Sequence, residues 1–401
     1  MRICGWRVRR GSIEMDDLIV LRPQGLYCPA GDFFIDPWRP VHRAVITHAH
    51  ADHSRSGHAH YLASAPSEGV MRARLGAVNL QTLRYGEVID HFGVRLSLHP
   101  AGHVLGSSQV RLEHAGRVWV ASGDYFLTDA EHELGAEDNF TCDAFEPVRC
   151  DCFITESTFG LPIYRWRPQR DIYRDINDWW RANADAGRAS LLLGYSFGKA
   201  QRMLAGIDPS IGPVVVHAAV EPLNRAYRAA GVRLPPTQLV SELTDKSSLK
   251  RALAIAPPAV QGSAWAKRFD APGLPASDAF ASGWMQLRGG RRRRGVDRGF
   301  VLSDHADWPG LQRAIRASGA ERVIVTHGYE AVMVRWLQSQ GLQASSFQTE
   351  YGDQVEEAKG EVVVEVEGQS ESDLNAQPAA NTDNPDPAAS RQSNVSFESK
   401  S

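Results

Sequence analysis

Apolar positions fall into two regimes along this chain. Up to Glu156 they form short runs, among them Phe33–Ile35, Ala44–Thr47, Val94–Leu98, Arg117–Ala121 and Cys152–Ile154. Runs of that length suit buried or half-buried strands and are too short for packed helices. Beyond Glu156 the period lengthens. Arg170–Ala186 sets Ile172, Ile176, Trp179 and Trp180 on one side, with Gly187 as a stop, and predicts an amphipathic helix. Leu191–Leu193 and Val214–Val216 read as buried parallel strands, each leading into a helix. Trp308–Ala317 predicts a further helix capped by Asp304 or Asp307, and Arg322–Gly328 returns to a strand. After Glu367, Ser, Asn, Pro, Asp and Ala dominate with few apolar residues, the composition of a disordered tail.

What the strands carry at their ends changes the picture. The run Ala44–Thr47 leads directly into His48-Ala49-His50-Ala51-Asp52-His53. His48 and His50, two apart in an extended loop, can turn toward one point, while the adjacent Asp52 and His53 suit a second ion beside the first. Imidazole with carboxylate favours zinc, with manganese as the alternative. His103 follows the strand Val94–Leu98, Asp124 follows Arg117–Ala121, and His327 ends Arg322–Val325. Open sheets place their active sites where strands stop. A lone histidine there is ordinary; three such ends beside the six-residue motif outweigh a solvated histidine-rich loop.

HxHxDH together with His103, Asp124 and His327 resembles the metallo-β-lactamase superfamily. Thr155–Gly160 and Leu302–Asp307 are similar to motifs A and B of its β-CASP nuclease branch, and His327 falls on motif C. The resemblance runs from about Asp17 to Glu367, and Gly25–Gly160 looks closest to the bacterial ligase-associated DNA exonucleases. It implies an α/β fold: a metallo-β-lactamase αββα sandwich with an inserted α/β β-CASP cap. The expected divisions are an N-terminal extension over 1–14, the lactamase-like domain over 15–160, the cap over 161–298, the return segment over 299–368 and an acidic tail over 369–401. By the same resemblance His48, His50 and His103 hold one ion, Asp52, His53 and His327 a second, and Asp124 bridges them. Asp36 matches a residue that orients the His-rich loop. His327 at motif C is typical of RNA-processing members, whereas Artemis-like DNA nucleases often carry Val there.

Two divalent ions suit phosphodiester hydrolysis, because they clamp the attacking and leaving oxygens of a phosphoryl displacement. His305 is the candidate general acid for the leaving 3′-oxygen, with Glu156 holding it in its protonated form. Asp52 is counted with these two as catalytic. The expectation is thus a DNA exonuclease of repair or processing, functionally linked to a DNA ligase. The alternatives are an RNA-processing nuclease, a thioester or lactam hydrolase, and a nucleic-acid-binding protein with an inactive site. Absence of Glu156 and the His305 motif from the lactam and thioester hydrolases disfavours those.

Composition refines the expected partner. The net charge of −3 hides an asymmetry: Glu350–Ser401 carries 12 acidic and three basic residues, or −9, leaving +6 on the rest. Arg291–Arg294 concentrates that charge ahead of motif B, as suits a phosphate backbone. Gly194–Lys199, between a strand and a helix, departs from nucleotide-binding P-loop spacing, so no ATP site is expected. Lys199 and Arg202 are candidate substrate contacts, and Trp284 a candidate base-stacking residue. Five cysteines without zinc-finger spacing, and no secretory leader, suggest a cytoplasmic protein. No apolar run approaches membrane-spanning length.

Overall fold

The computed structural model describes residues 17–127, 141–243, 246–287, 289, 292 and 294–350. The N-terminal extension, the tail, Arg291 and Arg293 therefore lie outside the described residues.

The chain folds as a mixed α/β structure with three sheets among the described residues. The first is built in chain order from β1 (Val20–Arg22), β2 (Gly25–Cys28), β3 (Phe33–Ile35), β4 (Arg43–Val45), β5 (His60–Ser64) and β6 (Leu80–Leu83). Its strands are antiparallel as far as β3 and parallel from β3 to β6. Helix α1 (Glu68–Leu75) connects β5 to β6. The second sheet opens with β7 (Val88–His91), β8 (Val94–Pro100), β9 (Ser108–His114), β10 (Arg117–Ala121) and β11 (Cys152–Ser157). β11 is buried at all six positions, which is why its sequence does not alternate.

After β11 the chain leaves this sheet. Helix α2 (Gln169–Asp185) buries Ile172, Ile176, Trp179 and Trp180 as its spacing requires, and Gly187 follows at φ +67. A third, wholly parallel sheet then forms from β12 (Ser190–Leu193), β13 (Val214–Val216), β14 (Gln238–Leu239), β15 (Leu253–Ala256), β16 (Ser277–Ala281) and β17 (Arg298–Phe300). Helices α3 (Lys199–Gly206) and α4 (Glu221–Ala229) follow β12 and β13. The chain then returns through α5 (Trp308–Ser318), β18 (Arg322–Gly328), α6 (Glu330–Ser339) and β19 (Gln343–Ser346). β18 pairs in parallel with both β11 and β19, completing the second sheet.

Packing explains the layers. Leu26, Phe33, Ile35, Val45 and Leu62 of the first sheet share one buried cluster with Leu96, Leu98, Val110, Leu112 and Ile154 of the second. Leu311 and Ile315 of α5 with Met333 and Leu337 of α6 cover the opposite face of the second sheet. Val70 and Met71 of α1, with Leu223 and Tyr227 of α4, cover that of the first. The α4 contribution ties the third sheet's helices to the first sheet. α5 starts where Asp307, not Asp304, caps it: its carboxylate accepts the Gly310 N–H at 2.9 Å.

Candidate metal centre

The expected ligands meet at the carboxyl ends of strands from both stacked sheets. His48, His50 and His53 follow β4, His103 follows β8, Asp124 follows β10, and His327 is the penultimate residue of β18. Ligand atoms of His48, His50, His103 and Asp124 lie within 4.8 Å of one another, and the group could hold a metal ion. Oδ2 of Asp124 lies 3.5 Å from Nε2 of His48, 3.4 Å from Nε2 of His53 and 3.8 Å from Nε2 of His103. Its other oxygen, Oδ1, lies 3.1 Å from Nε2 of His327. Asp52 is the least enclosed member, half exposed, with Oδ2 3.7 Å from Nε2 of His53. Gly123 makes the approach of Asp124 feasible: at φ +56, a Cβ there would meet the Thr47 side chain at 2.7 Å.

Five imidazoles are each held at one ring nitrogen by an outer partner, and the other nitrogen faces the cluster. Asp36 anchors the first two. Its Oδ1 accepts the Thr47 N–H at 2.7 Å, and its Oδ2 accepts the Thr47 hydroxyl at 2.5 Å and Nδ1–H of His53 at 2.8 Å. With its proton given to Asp36, the Thr47 hydroxyl accepts Nδ1–H of His48 at 3.0 Å. Asp36 does this from φ +42, a left-handed conformation uncommon for a non-glycine residue. Thr326 repeats the device, donating to the Thr155 carbonyl at 3.3 Å and accepting from Nδ1 of His327 at 3.1 Å. Nδ1–H of His103 goes to the Asp304 carbonyl at 2.8 Å, and Nε2–H of His50 to the Phe197 carbonyl at 3.3 Å. These hydrogen bonds fix the tautomers, as outer partners do for metal-bound imidazoles.

Two consequences show that the residues fit a bound cation. Nε2 of His103 and Nδ1 of His50 face each other at 3.0 Å as two lone pairs, a contact a shared cation relieves. Nε2 of His48 is buried and makes no hydrogen bond. Burial holds His48 and His103 well below the usual histidine range and lowers His50, so all three favour the neutral, ligating form. Burial also acts to lower His53, but the Asp124, Asp52 and Asp36 carboxylates outweigh it and hold its pKa well above the usual range. Asp124 is pushed up by burial yet held far below its usual range by His53, His305 and His327. Imidazoles with a carboxylate among them are ligands for a divalent transition ion.

His305 and Glu156 lie beside this cluster. Nδ1 of His305 is 3.0 and 3.1 Å from the two Glu156 oxygens, and its ring centroid is 4.5 Å from that of His103. Burial acts to lower the His305 pKa; the carboxylates of Glu156 and Asp124 outweigh it and raise it to about 10. Glu156 is itself fixed by the Tyr125 N–H at 2.8 Å and by a short bond from the Thr158 hydroxyl.

The expected substrate contacts divide. Lys199 and Arg202 are each 2% exposed, and their charged groups are hydrogen-bonded inside the protein. Trp284 is half-buried, its ring 4.7 Å from Phe159 and 6.5 Å from Tyr329. Arg294 lies over the Phe280 ring, 4.5 Å from its centre. Thr47, Thr326 and Phe197 were not foreseen as supports. The repeated Thr-His doublets, Thr47-His48 and Thr326-His327, were the available signal for the first two.

No family model matches the chain. It is 33% identical over 325 residues to a "Probable DNA ligase" of Opitutus terrae, covering 80% of this chain and 30% of that protein. It is 28% identical over 129 residues to "Endoribonuclease YSH1" of Candida glabrata, covering 32% of this chain and 16% of that one. The chain thus spans less than a third of the length of these relatives. Among solved structures, a protein of unknown function from Enterococcus faecalis shares the fold, with a TM-score of 0.50 and 13% identity over 77% of this chain and 80% of that one.

Proposed function

We propose that this chain is a metal-dependent nuclease of the metallo-β-lactamase, β-CASP type, hydrolysing phosphodiester bonds of DNA with two divalent ions. The observation that carries it is the set of four imidazoles around the Asp124 carboxylate, with His50 grouped beside them and the His305–Glu156 pair adjacent. Bound divalent ions supply Lewis-acid charge at the phosphoryl group and a hydrolytic water acidic enough to attack near neutral pH. His305, protonated and held at Nδ1 by Glu156, has Nε2 left to deliver a proton to the departing sugar oxygen. Asp124 spans the two halves of the ligand set, and Asp36 keeps His48 and His53 in their ligating tautomers. Residues 15–160 and 299–368 would form the catalytic body and 161–298 a cap; the third sheet, between Ser190 and Phe300, supports that division.

DNA is favoured because similarity to the protein named a DNA ligase extends over 80% of this chain, against 32% for the one named an endoribonuclease. The same comparison supports a functional link to a ligase. RNA is the second reading, favoured by His327. Trp284 and Tyr329, half-buried and joined through Phe159 and Tyr164 to the edge of the site, offer ring faces on which a splayed base could stack. The test is incubation of zinc- or manganese-loaded protein with end-labelled DNA and matched RNA beside the Asp124→Ala variant. Stepwise shortening of DNA, absent in the variant along with most bound metal, is expected. Cleavage of RNA alone moves the substrate to RNA, and equal activity in the variant removes Asp124 from the centre.

A further inference from the structure

The third sheet meets the metal loops at Tyr227, whose hydroxyl accepts the Leu105 N–H at 3.2 Å, and through one short stretch, Phe197–Arg202. The Phe197 carbonyl accepts Nε2–H of His50 at 3.3 Å, and its ring centre lies 5.0 Å from that imidazole. Gly198, at φ +77, packs so closely that a Cβ would meet Cγ1 of Val104 at 2.3 Å. Lys199 Nζ donates to the Leu302 carbonyl at 2.9 Å and to Oδ1 of Asp304 at 2.7 Å. The main-chain oxygen of the same Asp304 is what accepts Nδ1–H of His103, at 2.8 Å. Arg202 donates to the His103 carbonyl at 2.9 Å. The two imidazoles whose inner nitrogens face each other thus donate their outer hydrogen bonds to the turn that leads into α3 or to a loop that α3 holds.

Burying a lysine cation is costly unless a carboxylate and further acceptors compensate. Here the Lys199–Asp304 pair joins two distant parts of the chain, and its other consequence is to fix the carbonyl that orients His103. Outer partners of this kind govern metal affinity, because a ligand imidazole that can swing spends part of its binding energy on being ordered. We infer that Phe197–Arg202 is an outer hydrogen-bonding layer of the metal centre, with Lys199 and Arg202 as positioning residues, so that ion binding and docking of the third sheet are coupled. Coupling of two equilibria is reciprocal. A bound ion tightens the third sheet onto the body, and a displaced third sheet loosens the ion.

The inference rests on the metal-centre reading, and its test separates the two. Full-length wild type, Lys199→Met and Arg202→Met are loaded with cobalt(II) alone. Its visible absorption reports ligand geometry, chelator competition gives affinity, and amide hydrogen exchange is followed over residues 190–216. Both variants are expected to bind cobalt about 10- to 100-fold more weakly, with an altered spectrum. Exchange over 190–216, slowed by metal in the wild type, should lose that response in the variants. A purely structural role would lower the melting temperature of the metal-free variants while leaving spectrum, affinity and exchange response as in the wild type. That result overturns the inference. If Lys199→Met does not fold, Arg202→Met decides by the same criteria. Failure of the wild type itself to bind cobalt instead overturns the metal-centre reading, and this inference with it.

Discussion

His305 is the residue whose chemistry depends most on a single neighbour. Its pKa, raised to about 10, means the proton is retained well above the ordinary histidine range. A general acid works only while protonated, so activity should fall on the alkaline side as His305 gives up that proton. Glu156→Gln removes the carboxylate, and the alkaline limb of the kcat–pH profile should move to lower pH. His305→Ala should keep its metal and lose about 10²- to 10⁴-fold in turnover; loss of metal instead would make it a ligand. His58 shows the opposite shift. Burial lowers its pKa to about 4, and its Nδ1 accepts the Val41 N–H at 3.3 Å. The unfolded chain then binds the proton more readily, so stability should fall as pH drops from about 6.5 toward 4. His58→Gln should show a smaller loss in urea midpoint between pH 7 and pH 5 than the wild type.

Elements were legible to the extent that their signals are local. β18 runs from Arg322 to Gly328 as its apolar run requires, and α2 differs from the expected span by one residue at each end. The cap of α5 was narrowed to two aspartates, and the structure selects Asp307, whose other oxygen accepts the Trp166 N–H at 2.9 Å. Asp307→Ala should therefore cost at least the roughly 1 kcal/mol of a lost cap, read as a lower urea midpoint. Strands such as β1 and β6 went unread because their positions are mostly half-buried, with no clean alternation. Asp304 is the instructive case. Its sequence position suited a cap, but Lys199, 105 residues away, claims its side chain. No periodicity announces a partner at that separation, and the same holds for the Phe197 carbonyl beside His50. The residues that converge on the candidate site were legible as a cluster; those that hold them were legible only where a neighbouring threonine or strand end did the holding.

At the scale of the molecule, the ligand set straddles the interface between the two stacked sheets. His48, His50 and His53 hang from the first, His103, Asp124 and His327 from the second. An ion bound among them acts as a cross-link present only in the folded chain, so its binding free energy adds to stability. At roughly 1,000-fold excess over Kd the gain is about 4 kcal/mol. For a protein of this size that is roughly 5 °C in melting temperature. The gain should also depend on pH in a definite sense. In the metal-free protein burial opposes protonation of His53, yet Asp124 and Asp52 keep its proton bound well above the usual range. An ion must displace that proton to use Nε2, so affinity should rise with pH and the thermal gain should shrink as pH is lowered. Scanning calorimetry of chelator-treated and zinc-loaded protein at pH 6 and pH 8 measures both effects. Equal melting temperatures with and without metal would mean that the ligands do not join the two sheets. A gain independent of pH would mean that His53 gives up no proton, and would place the ion with His48, His50, His103 and Asp124.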